Sequence, residues 1–326
     1  MSGGGEVVCV TGASGYIASW LVKLLLHRGY TVKATARDLS DPAKVKHLKA
    51  LEGAKERLQL FQANLVEEGS FDAAVDGCDG VFHTASPVVF DNINDPQVEL
   101  IQPAVNGTLN VLRSCLKVPS IKRVVLTSSI AAVFSNRNAK TSDVVIDESS
   151  YSDPTFCKEI EVCIVMSKTL AEEAAWKFAE QYGIDLVVMN PGLVIGPCLQ
   201  PTLSVSLKIF LDFITQGKCS CSIEGGCVLV DIRDVAYAHV LAFENASAKG
   251  RYCLVAETLT FSDTSNILRD LYPTLNLVKR LGQNQPTLKC FQVSKEKAKS
   301  LGINFIPMDQ SFKDIVELLK ERNLLV

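Results

Sequence analysis

The chain of 326 residues carries no excess of basic charge: 33 Lys and Arg face 36 Asp and Glu, for a net charge of −3. No basic stripe is present to neutralise a phosphate backbone, so nucleic acid is not an expected partner. No apolar run reaches the ~18 residues that a membrane span needs, so no membrane partner is expected. The opening Met1-Ser-Gly-Gly-Gly-Glu6 has neither a basic n-region nor an apolar h-region. The expectation is a chain without a signal peptide, with the cytoplasm as its default compartment. Paired Cys-x-x-Cys ligands are absent too. The 11 cysteines are scattered, and Cys219-Ser-Cys221 with Cys227 is their one cluster. That spacing lacks the regular ligand pairs of a metal site, so no metal is expected and reduced thiols on a loop are the better reading. Cys9, Cys78, Cys115 and Cys253 lie in apolar contexts and are expected to be small buried hydrophobes. There is no internal repeat, and nothing specifies an oligomeric state.

What is present is 47% hydrophobic content, enough for a large core in one big domain or two unequal ones. Val7 to Val10 is a β-branched apolar run and predicts a buried strand. Ala18 to Arg28 has helical periodicity through Trp20, Leu21, Leu24 and Leu25, and Gly29 ends it. Thr31 to Ala36, Leu58 to Phe61, Gly80 to His83, Arg123 to Leu126 and Asp185 to Asn190 read as further strands. Val98 to Leu116 and Lys168 to Tyr182 read as helices between them. This alternation predicts a parallel sheet covered on both faces, a doubly wound α/β fold of the nucleotide-binding kind. After Pro191 the pattern is less regular. Val228 to Asp231 is expected to return to the sheet, with a helix from Val235 to Glu244. The expected division is a dinucleotide-binding domain over 1–192, with a return segment at about 228–250. Residues 193–227 and 251–326 form a smaller C-terminal lobe for a small-molecule substrate.

Gly12-Ala-Ser14-Gly15-Tyr16-Ile17-Ala18 follows the first strand and opens the first helix. Gly12 permits the tight turn, Gly15 lets the backbone approach a pyrophosphate, and Ala18 keeps the helix close to the sheet. The helix N-terminus supplies N–H donors to the phosphate. The strand–turn–helix context makes this a strong signal. At the end of the second strand an acidic residue would hold an NAD ribose, whereas Arg accommodates the 2′-phosphate of NADP. Here Ala36-Arg37-Asp38 is followed by Lys44. Asp38 leaves NAD open, but the paired cations favour NADP.

These residues resemble the plant cinnamoyl-CoA reductase and dihydroflavonol reductase family of extended short-chain dehydrogenases, which have a Rossmann fold. Val10-Thr-Gly-Ala-Ser-Gly-Tyr-Ile-Ala-Ser-Trp-Leu-Val-Lys23 is similar to the family's opening. So are Phe82-His-Thr-Ala-Ser-Pro87, Val124-Val-Leu-Thr-Ser-Ser129, Ser167-Lys-Thr-Leu-Ala-Glu-Glu-Ala-Ala-Trp176, Asn190-Pro-Gly-Leu-Val194 and Gly250-Arg-Tyr252. The similarity spans nearly the whole chain and points to its alcohol dehydrogenase-like or phenylacetaldehyde reductase-like branch. It implies an NADPH-dependent reductase of aldehydes or ketones on aromatic, phenylpropanoid-like molecules. By the same resemblance, Arg37 and Lys44 hold the 2′-phosphate, and Asn64 and Leu65 flank the adenine. Thr84, Ala85 and Ser86 line the cofactor's central path, and Thr127 lies beneath the nicotinamide. Pro191, Gly192, Leu193 and Val194 cover its ring, and Ser206 approaches a phosphate. Ser129 hydrogen-bonds the substrate carbonyl, and Lys168 binds the nicotinamide ribose and lowers the pKa of the family's tyrosine.

That tyrosine is missing. The family's donor is Tyr-x-x-x-Lys, and here the segment is Ile164-Val165-Met166-Ser167-Lys168. Reduction of a carbonyl needs a proton at an oxygen that becomes alkoxide-like. A phenol near pKa ~10 serves once a cation four residues along the same helix face lowers it. Ile164 keeps the packing and removes the donor, and Cys163 stands where the family has an aromatic residue. Tyr151 lies upstream on an expected loop, and His83 and His239 sit in apolar runs as expected core or capping histidines. Two readings therefore stand beside each other: a reductase with altered proton delivery, and a non-catalytic NADPH-binding protein. An isomerase or dehydratase on the same fold is a lesser option.

Overall fold

Alternate residues of the first strand serve two different cores. Val8 and Val10 pack with the helix Tyr16–His27, while Cys9 packs with the helices Gln102–Leu116 and Cys163–Tyr182. This two-sided burial is what a continuous apolar strand in a parallel sheet requires. A computed structural model describes residues 5–87, 94–137, 145–217, 226–274 and 291–325. Among these the strands are β1 (Val7–Thr11), β2 (Thr31–Ala36), β3 (Leu58–Gln62), β4 (Gly80–His83), β5 (Arg123–Thr127) and β6 (Val145–Ile146). They continue as β7 (Leu186–Pro191), β8 (Leu193–Ile195), β9 (Gly226–Asp231), β10 (Gly250–Leu254), β11 (Glu257–Thr260) and β12 (Gln292–Val293). Seven form one sheet in the order β10-β7-β5-β4-β1-β2-β3, and every pairing in it is parallel. The order reverses between β1 and β4, so the crevice for a ligand lies at the carboxyl ends of those strands.

The doubly wound parallel sheet is as the alternation predicts. The seventh strand is not. Val228 to Asp231 does not return to this sheet: β9 pairs with β8 in parallel and with β11 antiparallel in a separate three-stranded sheet. The edge of the large sheet is instead β10, in register with β7 from Gly250 opposite Val187 to Leu254 opposite Pro191. Residues 251–254, expected in the substrate lobe, are therefore part of the large sheet. The physical reason is that an apolar run predicts burial but not its partner. Gly192, just before β8, permits the close approach of the two segments, since a Cβ there would lie 2.4 Å from the Val228 carbonyl oxygen.

Three further boundaries differ from the sequence reading. The helix after β1 begins at Tyr16, and that after Ile160 begins at Cys163, so Ile164 and Lys168 share one helix. Cys227 lies in β9 rather than on a loop, and Cys219 and Cys221 fall outside the described residues. Cys9, Cys78, Cys115 and Cys253 are buried as expected. Among the described residues, no helix is long and apolar enough to cross a membrane.

Candidate active site

The glycine turn brings two strand ends together. Gly12 has φ +65°, and a Cβ on it would stand 2.9 Å from Ala85 Cα. Only glycine permits both that conformation and that approach. The turn is held to β2 by Gly12 N–H donating to Thr35 Oγ1 (3.1 Å) and Ala13 N–H donating to the Thr35 carbonyl (2.7 Å). Gly15 is the N-cap of the helix Tyr16–His27, with no side-chain cap and no acidic residue in the first turn. Gly15 N–H is spent on the Gly12 carbonyl (2.9 Å), and the first N–H groups of the helix, those of Tyr16, Ile17 and Ala18, are available to an anion. Ala18 is buried against the sheet. Tyr16 packs inward, its phenol donating to the Gly196 carbonyl at 2.7 Å, so its side chain anchors the turn rather than facing the crevice.

At the tip of β2, Arg37 and Lys44 are exposed and neither forms an ion pair among the described residues. Asp38 is occupied: it accepts from Ser40 N–H (2.8 Å) and from the Ser40 hydroxyl (2.6 Å). Those bonds, the hydroxyl's first, hold its carboxyl below the usual range. A satisfied carboxylate beside two unpaired cations suits a 2′-phosphate better than a ribose hydroxyl. Asn64 and Leu65 follow β3. Asn64 caps its own turn through Glu67, and the Leu65 carbonyl accepts from Asn110 at 2.8 Å.

The ends of β1 and β4 are tied through Thr11. Its buried hydroxyl accepts from the N–H groups of Thr84 (3.1 Å) and Ala85 (3.0 Å), and donates to His83 Nδ1 (2.9 Å). Thr84 donates its own hydroxyl to the Thr11 carbonyl, so its side chain is spent on the scaffold. At the end of β5, Thr127 donates to His239 Nε2 (2.7 Å), whose Nδ1–H in turn donates to the Val235 carbonyl (2.7 Å). Burial pushes His83 down to about 3, with Lys168 adding to the shift, and His239 down to about 4. Both are neutral core histidines, as their apolar runs predict.

Beyond β5 the chain presents two serines with different tasks. Ser129 is half-buried, and its Oγ accepts from Ala131 N–H at 3.1 Å, which leaves its hydrogen available. Ser128 is buried and donates to Glu172. Lys168 stands one helical turn after Ile164 and one turn before Glu172, so the three share a face. Its Nζ donates to Ser86 Oγ at 2.6 Å. Burial pushes the ammonium down to about 8. Ile164 is half-buried in the first turn of that helix, and Glu161 before it adopts φ +56°. Tyr151 is exposed, with its ring 4.2 Å from the Arg251 guanidinium.

Pro191 to Val194 run from β7 into β8, with Gly192 N–H donating to the Leu254 carbonyl (3.0 Å). Ser206 lies in the first turn of the helix Val205–Gln216, its hydroxyl 3.0 Å from that of the capping Ser204. The glycine turn, Ser86, Thr127, Ser129 and Lys168 thus converge on the carboxyl ends of β1, β4 and β5. Arg37, Lys44, Asn64 and Leu65 lie beyond β2 and β3, further along the sheet.

One cluster escaped the sequence reading. Glu172 and Arg251 are each 3% exposed and pair at 2.6 Å. Glu172 also accepts from Asn190 Nδ2 (2.8 Å), and Asn190 donates to the Ser129 carbonyl (3.0 Å). Arg251 reaches the carbonyls of Ala132 (2.9 Å) and Ser150. The network ties the lysine-bearing helix to the Ser128–Ser129 turn and to β10. Neither residue has a role in the sequence reading, because a counter-ion on a distant strand leaves no local pattern.

Comparisons with known proteins identify the family and the fold. The model of the NAD dependent epimerase/dehydratase family matches residues 8–255. Cinnamoyl-CoA reductase CAD2 of Medicago truncatula is 58% identical over 98% of this chain and 97% of its own. Cinnamoyl-CoA reductase 1 of Arabidopsis thaliana is 46% identical over 98% of this chain and 91% of its own. Among solved structures, vestitone reductase from alfalfa superposes with a TM-score of 0.84 at 33% identity, covering 98% and 99% of the two chains. Yeast methylglyoxal/isovaleraldehyde reductase Gre2, complexed with NADPH, superposes with a TM-score of 0.82 at 29% identity, covering 98% and 100%. The chain belongs to the NAD-dependent epimerase/dehydratase family of extended short-chain dehydrogenases, among the cinnamoyl-CoA reductase and dihydroflavonol reductase relatives.

Proposed function

We propose that the protein is an NADPH-dependent reductase of aldehyde or ketone groups on aromatic, phenylpropanoid-like small molecules, with proton delivery altered by Ile164. The observation that carries this reading is the convergence of an uncapped helix N-terminus, the free hydroxyl of Ser129 and the desolvated ammonium of Lys168 at one crevice. The residues fit the dinucleotide. Gly12 and Gly15 shape the turn so that a pyrophosphate can approach, Ser14, Tyr16, Ile17 and Ala18 border it with backbone N–H groups, and Arg37 and Lys44, without an ion pair among the described residues, suit its 2′-phosphate. Asn64 and Leu65 flank the adenine, and Thr84, Ala85 and Ser86 border the central path. Thr127 with Pro191 to Val194 encloses the ring, and Ser206 stands toward a phosphate. When bound, the reduced nicotinamide supplies a hydride to the carbonyl carbon. Ser129 donates to the carbonyl oxygen as charge builds there, the interaction that lowers the barrier most directly. Lys168 supplies positive potential beside it. The segments 193–227 and 255–326 contribute the substrate side.

A second reading has its own observation. Ile164 offers a hydrocarbon where the relatives' mechanism needs a donor, which suits a non-catalytic NADPH-binding protein acting as a regulator or partner. Calorimetry with NADPH, followed by NADPH oxidation across a panel of aromatic aldehydes and ketones, separates the two. Binding with turnover supports the reductase. Binding without turnover, together with turnover by Ile164→Tyr, assigns the regulator. Absence of binding sinks both.

A further inference from the structure

We propose that Ser86 and Lys168 form the proton-delivery pair of this site, with the Ser86 hydroxyl as the group that touches the substrate oxygen. The inference rests on the reductase reading above. His83 on β4 pairs with Leu126 on β5, and Ser86 and Ser129 each follow three residues later. Two hydroxyls therefore leave neighbouring strand ends at matching steps, from strands ~4.8 Å apart. Lys168 reaches the first of them, its Nζ donating to Ser86 Oγ at 2.6 Å.

That bond decides the direction of the proton. An ammonium has only donors, so Ser86 accepts from Lys168 and keeps its own hydrogen to give. The alternative acceptor, the Pro87 carbonyl, is 3.4 Å away, at the outer limit of a hydrogen bond. Among the described residues no carboxylate pairs with Lys168. Its titratable neighbour is His83, which burial keeps neutral. Desolvation also brings the lysine closer to neutral pH than an ordinary ammonium, which favours transfer.

The step balances without a phenol. As the carbonyl carbon gains its hydride, the carbonyl oxygen becomes an alkoxide and takes the proton of the Ser86 O–H. Ser86 Oγ recovers a proton from Lys168 Nζ–H, leaving a neutral amine. Water then reprotonates the amine. Ser129 holds the same oxygen from the neighbouring strand and transfers nothing.

The test is a double-mutant cycle with one binding control and one protonation control. Ser86→Ala in the native background is expected to lower kcat on the order of 10²-fold, while Ser86→Thr, which keeps a hydroxyl, retains turnover. In an Ile164→Tyr background, where a phenol is restored, Ser86→Ala is expected to cost roughly tenfold less. NADPH titration by fluorescence is expected to give native affinity in Ser86→Thr and Ile164→Tyr and only a few-fold weaker binding in Ser86→Ala, since Ser86 borders the cofactor path. In the cofactor-free protein, NMR of labelled lysine is expected to show Lys168 losing its proton at lower pH in Ser86→Ala, because the ammonium has lost an acceptor. Equal losses in both backgrounds, no loss in the native one, or loss of NADPH binding in Ser86→Ala would overturn the pair and leave the reductase reading standing. Turnover only after Ile164→Tyr would overturn the reductase reading and the pair together.

Discussion

Glu172→Gln is the substitution that probes most of the site's scaffold at one atom. Glu172 is 3% exposed, pairs with Arg251 at 2.6 Å and accepts from Ser128 and Asn190. Glutamine keeps the size and one acceptor but removes the charge. The Arg251 guanidinium, itself 3% exposed, is then left with carbonyl oxygens and no counter-charge. Breaking a buried pair by removing one partner costs about 3–5 kcal/mol. A long chain loses about 2 °C of Tm per kcal/mol, so the expected drop is roughly 6–10 °C. Circular dichroism melts of the two proteins measure it. Because Asn190 also holds the Ser129 carbonyl, the variant is further expected to lose kcat with less change in NADPH affinity. A melting temperature within about 1 °C of the native protein would refute the argument, since it would mean that the charge is not needed where it is buried.

Other outcomes follow from the same geometry. Arg37→Ala is expected to weaken NADPH by roughly 10-fold and to leave NADH nearly unchanged, measured as the ratio of their dissociation constants, because an exposed charge-assisted bond is worth about 1.5 kcal/mol. Gly12→Ala places a Cβ against Ala85 at φ +65° and is expected to lose NADPH affinity, read by calorimetry. Stability is expected to fall from pH 7 to pH 5. His83 and His239 stay neutral in the fold but charge once unfolded, so the unfolded chain binds more protons below pH ~6.5. Asp234, whose carboxyl burial pushes up to about 6, takes its proton first in the fold and offsets part of that loss. The balance at pH 5 is roughly 3 kcal/mol, read from denaturant midpoints.

The legible parts of this molecule were those that repeat a local physical rule. The β-branched run before Gly12 gives the first strand, and the glycine pattern gives the tight turn into the first helix, because both depend on nearby residues alone. Ile164 and Lys168 were readable as one helix face because four residues make one turn. Partners distant in the chain were not readable. Val228 to Asp231 had the composition of a central strand yet joined the smaller sheet, while β10, carrying a buried arginine, took the edge of the large one. Glu172 and Arg251 have no role in the sequence reading because periodicity does not encode a counter-ion on another strand. Thr84 and Tyr16 were expected at the cofactor, and their side chains instead hold the scaffold. Hydroxyls at such strand ends can face either way, and only the fold decides.

The function proposed above requires an intact NADPH site in which proton transfer alone is altered. It is tested most directly by measuring NADPH affinity and single-turnover reduction for the native protein and Ile164→Tyr side by side. The account predicts matching affinities, slow reduction by the native protein, and an increase on the order of 10–10²-fold with the restored phenol. Failure of either protein to bind NADPH, or equal rates with and without the phenol, would contradict it.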